Sequence, residues 1–175
     1  MAPNPTTCLY GCQGATCATC RQKDASNLLT NPGFDGAVTS WSGGTFANFS
    51  STDVDNCGGS GSFAMDYLQE MSQCVTTVTV GTKYYMRFRF KGWDTTSSHL
   101  GYCVVNFYGA PNCDGNAFIS SFDASATSNG PWVATASNNA SAPTGTVSMV
   151  FACSGSVGHG FYDQVYLGTS STAQF

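Results

Sequence analysis

Short runs of β-branched and aromatic residues alternate with clusters of Gly, Ser, Asn and Pro through most of the chain, from residue 25 to residue 168. Such runs, bounded by turn residues and without helical periodicity, are typical of β-strands. The candidate strands are 26–30, 44–50, 62–68, 73–80, 83–92, 101–108, 117–122, 131–137, 145–153 and 160–167. This pattern predicts an all-β fold, a two-sheet antiparallel β-sandwich, with the jelly roll first among its variants.

Alternation with a period of two is clearest in the candidate strand 83–92. Its apolar set, predicted to face the core, is Tyr84, Met86, Phe88 and Phe90, and its outward set is Lys83, Tyr85, Arg87, Arg89 and Lys91. In the next strand the predicted core set is Cys103, Val105 and Phe107, which leaves Tyr102, Val104, Asn106 and Tyr108 on the opposite face. Val147, Met149, Phe151 and Cys153 are predicted to share the core side of a later strand.

The amino-acid composition bears on the function of the protein. Charged residues make up only 9% of 175 residues, the net charge is −4, and four of the six basic residues lie in 83–91. The broad basic surface of a nucleic-acid-binding protein is absent from this sequence. No apolar run approaches the roughly 20 residues of a membrane span. We therefore expect one globular domain that neither binds nucleic acid nor spans a membrane.

Nine cysteines in a domain of this size indicate an exported protein with disulfides, secreted or held at the cell surface. Cys103 could meet Cys153 inside the sandwich, and Cys57 could join Cys74, while Cys113 could instead take Cys103. Residues 1–24 form a Cys-rich arm or linker, in which four cysteines favour two local disulfides over a zinc site. The odd count leaves one thiol that is free, pairs with another chain or lacks its partner.

Several motifs in order resemble the carbohydrate-binding modules of families 4, 9 and 22. They are Asn27-Leu28-Leu29-Thr30-Asn31-Pro32-Gly33-Phe34-Asp35 followed by Trp41, Cys57-Gly58-Gly59-Ser60-Gly61-Ser62-Phe63, Gly81-Thr82-Lys83-Tyr84, Trp132, Ala142-Pro143-Thr144-Gly145, and Tyr162-Asp163-Gln164-Val165-Tyr166-Leu167. The resemblance covers residues 25–168, leaving a C-terminal tail at 169–175. It implies a jelly roll with a structural calcium and a sugar-binding face.

Acids in the first and last strands of the domain suggest that a cation holds them together. The resemblance implies a calcium site whose ligands are the Gly33 carbonyl, Asp35, Asp53 or Asp55 (with Asp55 preferred), the Ser60 carbonyl and Asp163. Calcium takes six to eight hard oxygen ligands, so carboxylates mixed with carbonyls suit it. Gln164 departs from the family pattern, in which a second acid stands at this position.

A sugar-binding face needs aromatic rings for stacking and planar polar groups for hydroxyl pairs. We expect Tyr85, Arg87 and Arg89 on one strand to lie beside Tyr102, Asn106 and Tyr108 on the next, with Trp93 and His99 at the rim. Two guanidinium groups favour an acidic polysaccharide, because each presents a rigid fork to a carboxylate. The alternative is that both arginines pair with nearby acids on a solvated face. Trp41 and Trp132 are expected to be buried.

Catalysis has little support, since Glu70 is the only glutamate and neither histidine lies in a nucleophile motif. The predicted function is non-catalytic polysaccharide binding. The alternative is a structural or adhesive subunit of an extracellular assembly, which the low charge, the Gly, Ser, Thr and Asn content and the odd cysteine favour. In either case the Cys-rich arm could mediate self-association.

Overall fold

The computed structural model describes residues 23–43, 48–57, 59–66, 69–157 and 159–173. The predicted Cys-rich arm therefore lies almost entirely outside the described residues, as do its cysteines and the self-association expected from it.

Eleven strands and two short 3-10 turns make up the described secondary structure. The strands are β1 (Ser42–Gly43), β2 (Asn48–Ser50), β3 (Ser62–Met65), β4 (Glu70–Val75), β5 (Lys83–Gly92), β6 (His99–Tyr108), β7 (Phe118–Ser128), β8 (Trp132–Ala134), β9 (Asn138–Ser141), β10 (Ser148–Val157) and β11 (Gly160–Gly168). The 3-10 turns span Pro111–Cys113 and Gly115–Ala117. None of the described helical segments is long and apolar enough to cross a membrane.

The strands form two sheets with antiparallel pairing. The five-stranded sheet has the order β1-β4-β10-β6-β7, and the six-stranded sheet has the order β2-β3-β11-β5-β8, with β9 also paired to β5. Consecutive strands β5 and β6 therefore belong to different sheets. The predicted fold class, an all-β two-sheet sandwich of the jelly-roll kind, is confirmed.

The core lies between the sheets and is built from the predicted alternation. The predicted apolar inward residues of β5 and β6 are at most 2% exposed, as are Met149, Phe151 and Cys153 of β10. Val147 differs: it lies before β10 begins and is 44% exposed, so its predicted place in the core is wrong. Trp41 is buried as expected, whereas Trp132 is half-buried on the edge strand β8.

The first candidate strand, 26–30, is not a strand. Only an isolated bridge joins Asn27 to Gly168. The segment is fastened instead by the Asn27 side chain, whose Nδ2 donates to the carbonyl of Val165 and whose Oδ1 accepts the amides of Leu29 and Leu167. This side chain replaces the ladder of a regular strand and ties the N-terminal segment to β11.

Two disulfides join described residues. Cys103 and Cys153 are direct partners of β6 and β10 and are bonded, which confirms the predicted pair. The predicted Cys57–Cys74 pair is wrong, since Cys74 is bonded to Cys113 with a Cα–Cα distance of 6.0 Å. Cys74 faces outward from β4, and the turn that carries Cys113 folds against the same strand. Cys57 is also disulfide-bonded, to none of these four cysteines.

Candidate ligand-binding and cation-binding sites

The six residues predicted to form one sugar-binding face do not lie on one face. Tyr85, Arg87 and Arg89 face outward from β5 in the six-stranded sheet, whereas β6 carries its outward residues in the five-stranded sheet. Because the two sheets pack with their inner sides together, their outer sides point in opposite directions. The single-face prediction is wrong: alternation identifies which residues point outward, but not the sheet to which a strand belongs.

The outer side of the five-stranded sheet carries Tyr102, Asn106 and Tyr108 at outward positions of β6, all half-buried. At about 3.4 Å per residue, the two tyrosines lie about 20 Å apart along the strand. Their neighbours across the sheet are mostly small, with Ser154 and Ser125 on either side of Tyr102. We call this surface, defined by Tyr102, Asn106, Tyr108 and Phe118, the tyrosine face.

Two further observations describe the ends of the tyrosine face. Tyr108 meets Phe118 edge-on, with ring centroids 6.1 Å apart, and Phe118 is 55% exposed. Partial burial, with the nearby charge of Asp123, raises the pKa of Tyr102, so its hydroxyl stays protonated and able to donate. An elongated polar strip with an aromatic group towards each end can accommodate an extended chain molecule.

The outer side of the six-stranded sheet is largely covered by the chain itself. All nine residues of β11 are buried. The Arg87 guanidinium lies over the Tyr166 ring, 5.5 Å from its centroid, and donates to the carbonyl of Ser171. The Tyr166 hydroxyl bonds Ser26 Oγ at 2.8 Å and accepts the Ser170 amide at 2.9 Å. The described part of the predicted tail therefore packs on the domain, and Arg87 holds it there.

One end of this sheet remains open as a groove of about 800 Å³. We call it the Trp93 groove; it is lined by Asn48, Phe49, Ser50, Ser51, Ala64, Met65, Asp66, Trp93, Asp94, His159 and Phe161. Trp93, predicted as a ligand-binding residue, stacks on Phe161 with ring centroids 5.1 Å apart and planes 10° apart. His99, expected at the rim, is buried, and its Nε2 lies 3.4 Å from Asp94 Oδ1.

Sequence reasoning missed Phe161, Asp66 and His159 as members of this groove. Phe161 is the outward partner of Lys91 in the register of β11 with β5. The alternation of the last strand could have identified Phe161 as an outward residue, because it lies two residues before Asp163 and therefore on the same side of the strand. The other two residues lie in loops, whose meeting point depends on the topology.

A buried group of oxygen atoms lies where the last strand meets the loop before β3. Asp163 is fully buried, and its carboxylate accepts the backbone amides of Val54 at 3.0 Å and Gln164 at 2.6 Å. The Ser60 hydroxyl lies 3.1 Å from both the Gly33 carbonyl oxygen and Asp53 Oδ1. Burial raises the pKa of Asp163 well above its usual range, and the Asp53 charge adds to this rise.

The predicted calcium ligands are brought together only in part. Gly33, Ser60 and Asp163 lie in this group together with Asp53, and Ser60 contributes its hydroxyl. Asp55, the preferred candidate, instead accepts a hydrogen bond from Gln164 Nε2 at 2.6 Å. Asp35 is half-buried, and its backbone amide donates to Asn31 Oδ1. Among the described residues, no group of three or more His, Cys, Asp or Glu side chains is arranged as a metal site.

The donor set nevertheless fits a hard cation. Two buried carboxylates approach each other closely enough for the Asp53 charge to act on Asp163, and the atoms around them are oxygens. Gln164, in the left-handed region with φ 45°, lies at the bulge between Asp163 and Tyr166. Its Oε1 atom is buried and has no hydrogen-bond partner within the described part of the chain. The two close carboxylates and the oxygen atoms around them suit calcium.

Comparison with known proteins identifies other proteins with this fold. No protein-family model and no curated protein matches the chain. The CBM22-1 xylan-binding domain of a Paenibacillus barcinonensis protein shares 13% identity, covering 87% of this chain and all of that one, with a TM-score of 0.61. A CBM61 module solved with β-1,4-galactotriose shares 21% identity over 82% of this chain and 99% of its own, with a TM-score of 0.54.

A third similar structure is the enzymatically active domain of tailspike protein 4 from bacteriophage CBA120. It shares 15% identity over 82% of this chain with a TM-score of 0.62, and this chain spans about a fifth, 21%, of that one. These similarities show that the chain has a jelly-roll fold of the kind found in carbohydrate-binding modules. The fold implied by the motif resemblance is confirmed.

Proposed function

We propose that this chain is a non-catalytic module that binds polysaccharide on the tyrosine face. The observation that carries the proposal is the row of Tyr102, Asn106 and Tyr108 along β6, with small residues beside it. Aromatic rings supply apolar surfaces for the C–H faces of sugars, and the amide and hydroxyl groups supply hydrogen bonds to their hydroxyls. An open strip on a regular sheet suits a chain-like ligand better than a compact one.

The structural comparisons support the same ligand class. The xylan-binding domain and the galactotriose-bound module are similar to this chain over nearly their whole lengths. A shared fold alone does not establish a shared ligand. The proposal therefore rests on the residues of the tyrosine face, with the likeness as support.

Charge on the two outer faces bears on the kind of polysaccharide. The tyrosine face has Asp123 and Glu70 at its margins, both exposed. The arginines that favoured an acidic glycan are on the opposite side, where Arg87 is engaged with the C-terminal segment. Since carboxylates repel uronic acids, we expect neutral polymers to bind in preference to acidic ones.

Affinity electrophoresis through gels containing neutral or uronic-acid polysaccharides tests this function. We expect retardation of the parent by at least one neutral polymer and its loss in a Tyr102→Ala/Tyr108→Ala variant, because two stacking surfaces are removed. Tyr85→Ala is the matched control, a half-buried outward tyrosine on the other sheet, and should be retarded like the parent. Equal retardation of the double variant would exclude the tyrosine face, and no retardation of the folded parent would favour the structural-subunit alternative.

The proposal includes a structural calcium. The carboxylates of Asp53 and Asp163, the Gly33 carbonyl and the Ser60 hydroxyl would hold it, and it would neutralise two acids buried between the last strand and the loop before β3. Thermal unfolding with calcium and with a chelator measures this contribution. Identical unfolding curves in the two conditions would exclude the site.

Secretion is the third part of the proposal. Cys103–Cys153 and Cys74–Cys113 are formed, and Cys57 is bonded as well. Disulfides persist in oxidising compartments and are rare in the cytosol. Quantifying free thiols in protein recovered from the native source, under denaturing conditions, would test it: reduced Cys74 and Cys103 would contradict an extracellular location.

A further inference from the structure

We propose that Tyr162 is a positioning residue for the tyrosine face, although it lies in the core and belongs to the opposite sheet. Its hydroxyl holds the backbone of Tyr102 from beneath and so fixes the place at which the Tyr102 ring meets a sugar. The inference rests on the proposed function for its ligand, and it adds a residue that does not itself touch the ligand.

The Tyr162 ring is fixed in the core. The residue is fully buried in β11, and its ring centroid lies 5.5 Å from that of Phe88 and 5.0 Å from that of Phe90, both on the neighbouring strand β5. Two aromatic neighbours leave a ring few alternative positions in a close-packed interior. The hydroxyl at the tip of this ring therefore has a defined place.

The hydroxyl reaches across the core to the five-stranded sheet. It accepts the backbone amide of Tyr102 at 3.1 Å and donates to the backbone carbonyl of Ser154 at 2.9 Å. Tyr102 and Ser154 are direct partners in the pairing of β6 with β10. A phenolic hydroxyl can donate one hydrogen bond while it accepts another, and both roles are used here. The Tyr162 hydroxyl thus links the two strands at the position of Tyr102.

This link lies where the pairing of β6 with β10 is irregular. After Tyr102 and Ser154 the next paired residues are Leu100 and Val157, so that residues 155 and 156 of β10 lie opposite the single residue 101 of β6. An extra residue interrupts the ladder of backbone hydrogen bonds, and the backbone groups beside it need other partners. The Tyr162 hydroxyl supplies such a partner, which a phenylalanine in its place could not.

The close approach of the two sheets at this point depends on a glycine. Gly101 occupies an inward position of β6 directly before Tyr102, and a Cβ atom there would lie 2.5 Å from the Phe90 ring. Because no side chain separates β6 from Phe90 here, the strand lies near enough for a hydroxyl from β11 to bond its backbone. A side chain at position 101 would push the strand away from that hydroxyl.

The hydroxyl keeps its proton under the conditions in which the protein would bind a ligand. Burial raises the pKa of Tyr162 well above its usual range. The group therefore remains both donor and acceptor at neutral and moderately alkaline pH. Its hold on Tyr102 should not change over this range.

The other end of the tyrosine face is held differently. The Tyr108 carbonyl accepts the Val147 amide at 2.9 Å, and the Tyr108 ring meets Phe118 of β7 edge-on. Both contacts come from segments that adjoin the same sheet. Loss of the Tyr162 hydroxyl should therefore disturb the Tyr102 end of the face and leave the Tyr108 end unchanged.

The first test is Tyr162→Phe, which removes the hydroxyl and keeps the ring. We expect the Tyr102 amide to exchange its hydrogen about tenfold faster than in the parent, because one hydrogen bond that protects it is lost. In ¹⁹F spectra of protein labelled with 3-fluorotyrosine, the Tyr102 signal should shift and the Tyr108 signal should not. Each signal is assigned by its loss in Tyr102→Phe or Tyr108→Phe. These measurements need no glycan.

The consequence for binding is measured in the gels that test the tyrosine face. With a neutral polymer that retards the parent, Tyr162→Phe should raise the apparent dissociation constant by about fivefold, because the ligand then has to order the Tyr102 end. The control is Tyr84→Phe, which removes another buried hydroxyl, one that accepts the Thr79 amide at 2.8 Å. It should lose comparable stability, bind like the parent and leave the Tyr102 signal in place.

The outcomes separate the link from the function. Unchanged exchange and an unchanged Tyr102 signal in Tyr162→Phe overturn the link. Parent-like glycan affinity in that variant overturns the positioning role, as does an equal loss of affinity in Tyr84→Phe, because general destabilisation would then explain both. If the parent itself is not retarded by any polymer, the proposed function fails, while amide exchange still decides the link.

A second variant decides the link if Tyr162→Phe does not fold. Phe90→Leu keeps the hydroxyl but removes one of the rings beside Tyr162. It should shift the Tyr102 signal in the ligand-free protein, since the hydroxyl is then held less firmly. An unchanged Tyr102 signal in folded Phe90→Leu would overturn the inference.

Discussion

On the outer side of the five-stranded sheet, Tyr102 and Tyr108 stand half-buried among serines, whereas on the outer side of the six-stranded sheet every residue of β11 is buried. Each sheet contains one long strand with alternating inward and outward residues, β6 in the first and β5 in the second. The difference arises because the segment around Ser26 and the segment 170–173 fold over β11, and nothing comparable among the described residues covers β6. Outward-facing side chains are therefore accessible to a ligand only where the terminal segments of the domain do not cover them.

The largest effect expected on the covered side concerns Asp163. In calcium, Asp163→Asn should lower the free energy of unfolding by about 3 kcal/mol at a calcium concentration about 100 times the dissociation constant. In chelator the same variant should be at least as stable as the parent, because it removes a buried charge near Asp53. Chemical unfolding in both conditions measures the two differences. Asp123→Asn, an exposed acid on β7, serves as control, and a parent-like calcium response in Asp163→Asn would contradict the site.

A smaller loss of unfolding free energy is expected when the contact between Arg87 and the C-terminal segment is removed. Arg87→Leu removes the contact with the Tyr166 ring and the hydrogen bond to the Ser171 carbonyl, and should cost about 1–2 kcal/mol of unfolding free energy. Glycan retardation should not change. Arg89→Leu, two residues along on the same side of β5, should be near neutral in both assays. A loss of acidic-glycan binding in either variant would restore the ligand role that the sequence suggested for the arginines.

The smallest effect is a pH dependence of the calcium-free protein. The folded-state pKa of Asp163 is raised, so the folded protein binds a proton more tightly than the unfolded chain does. In chelator, stability should therefore rise as the pH falls through that raised folded-state pKa towards the pKa of the unfolded chain, by up to about 1 kcal/mol per pH unit. Denaturant midpoints across this range measure the trend. Asp163→Asn should lack this contribution, and a parent that loses stability throughout the same range would contradict it.

The sequence predicted much of the fold because alternation is a local property. Strand 83–92 and the inward residues of β6 follow directly from their own residues. The Cys103–Cys153 pair was one of two alternatives for Cys103, and the pairing of β6 with β10 decides it. The segment at 26–30 was misjudged because Asn27 bonds to β11 with its side chain. The Cys74–Cys113 pair was missed because it depends on where the turn after β6 folds.

The candidate sites were less predictable, because they depend on which strands and loops meet rather than on alternation within one strand. Tyr102, Asn106 and Tyr108 were correctly placed as outward neighbours on one strand, but their supposed partners on β5 lie in the other sheet. Trp93 was named from its loop position alone, without the stacking partner Phe161. Among the calcium candidates, Asp53 rather than Asp55 lies with Ser60 and Asp163, since a choice between acids two residues apart depends on the loop backbone.

The sequence by itself determined the strand class, the inward and outward residues of the long strands, and the low overall charge. Only the tertiary structure decided which sheet each strand joins, which outward side is covered, and which loops meet at the Trp93 groove. The physical reason is that side-chain alternation is fixed within a strand, whereas pairing between strands is decided by the whole core and by the path of the chain between the sheets.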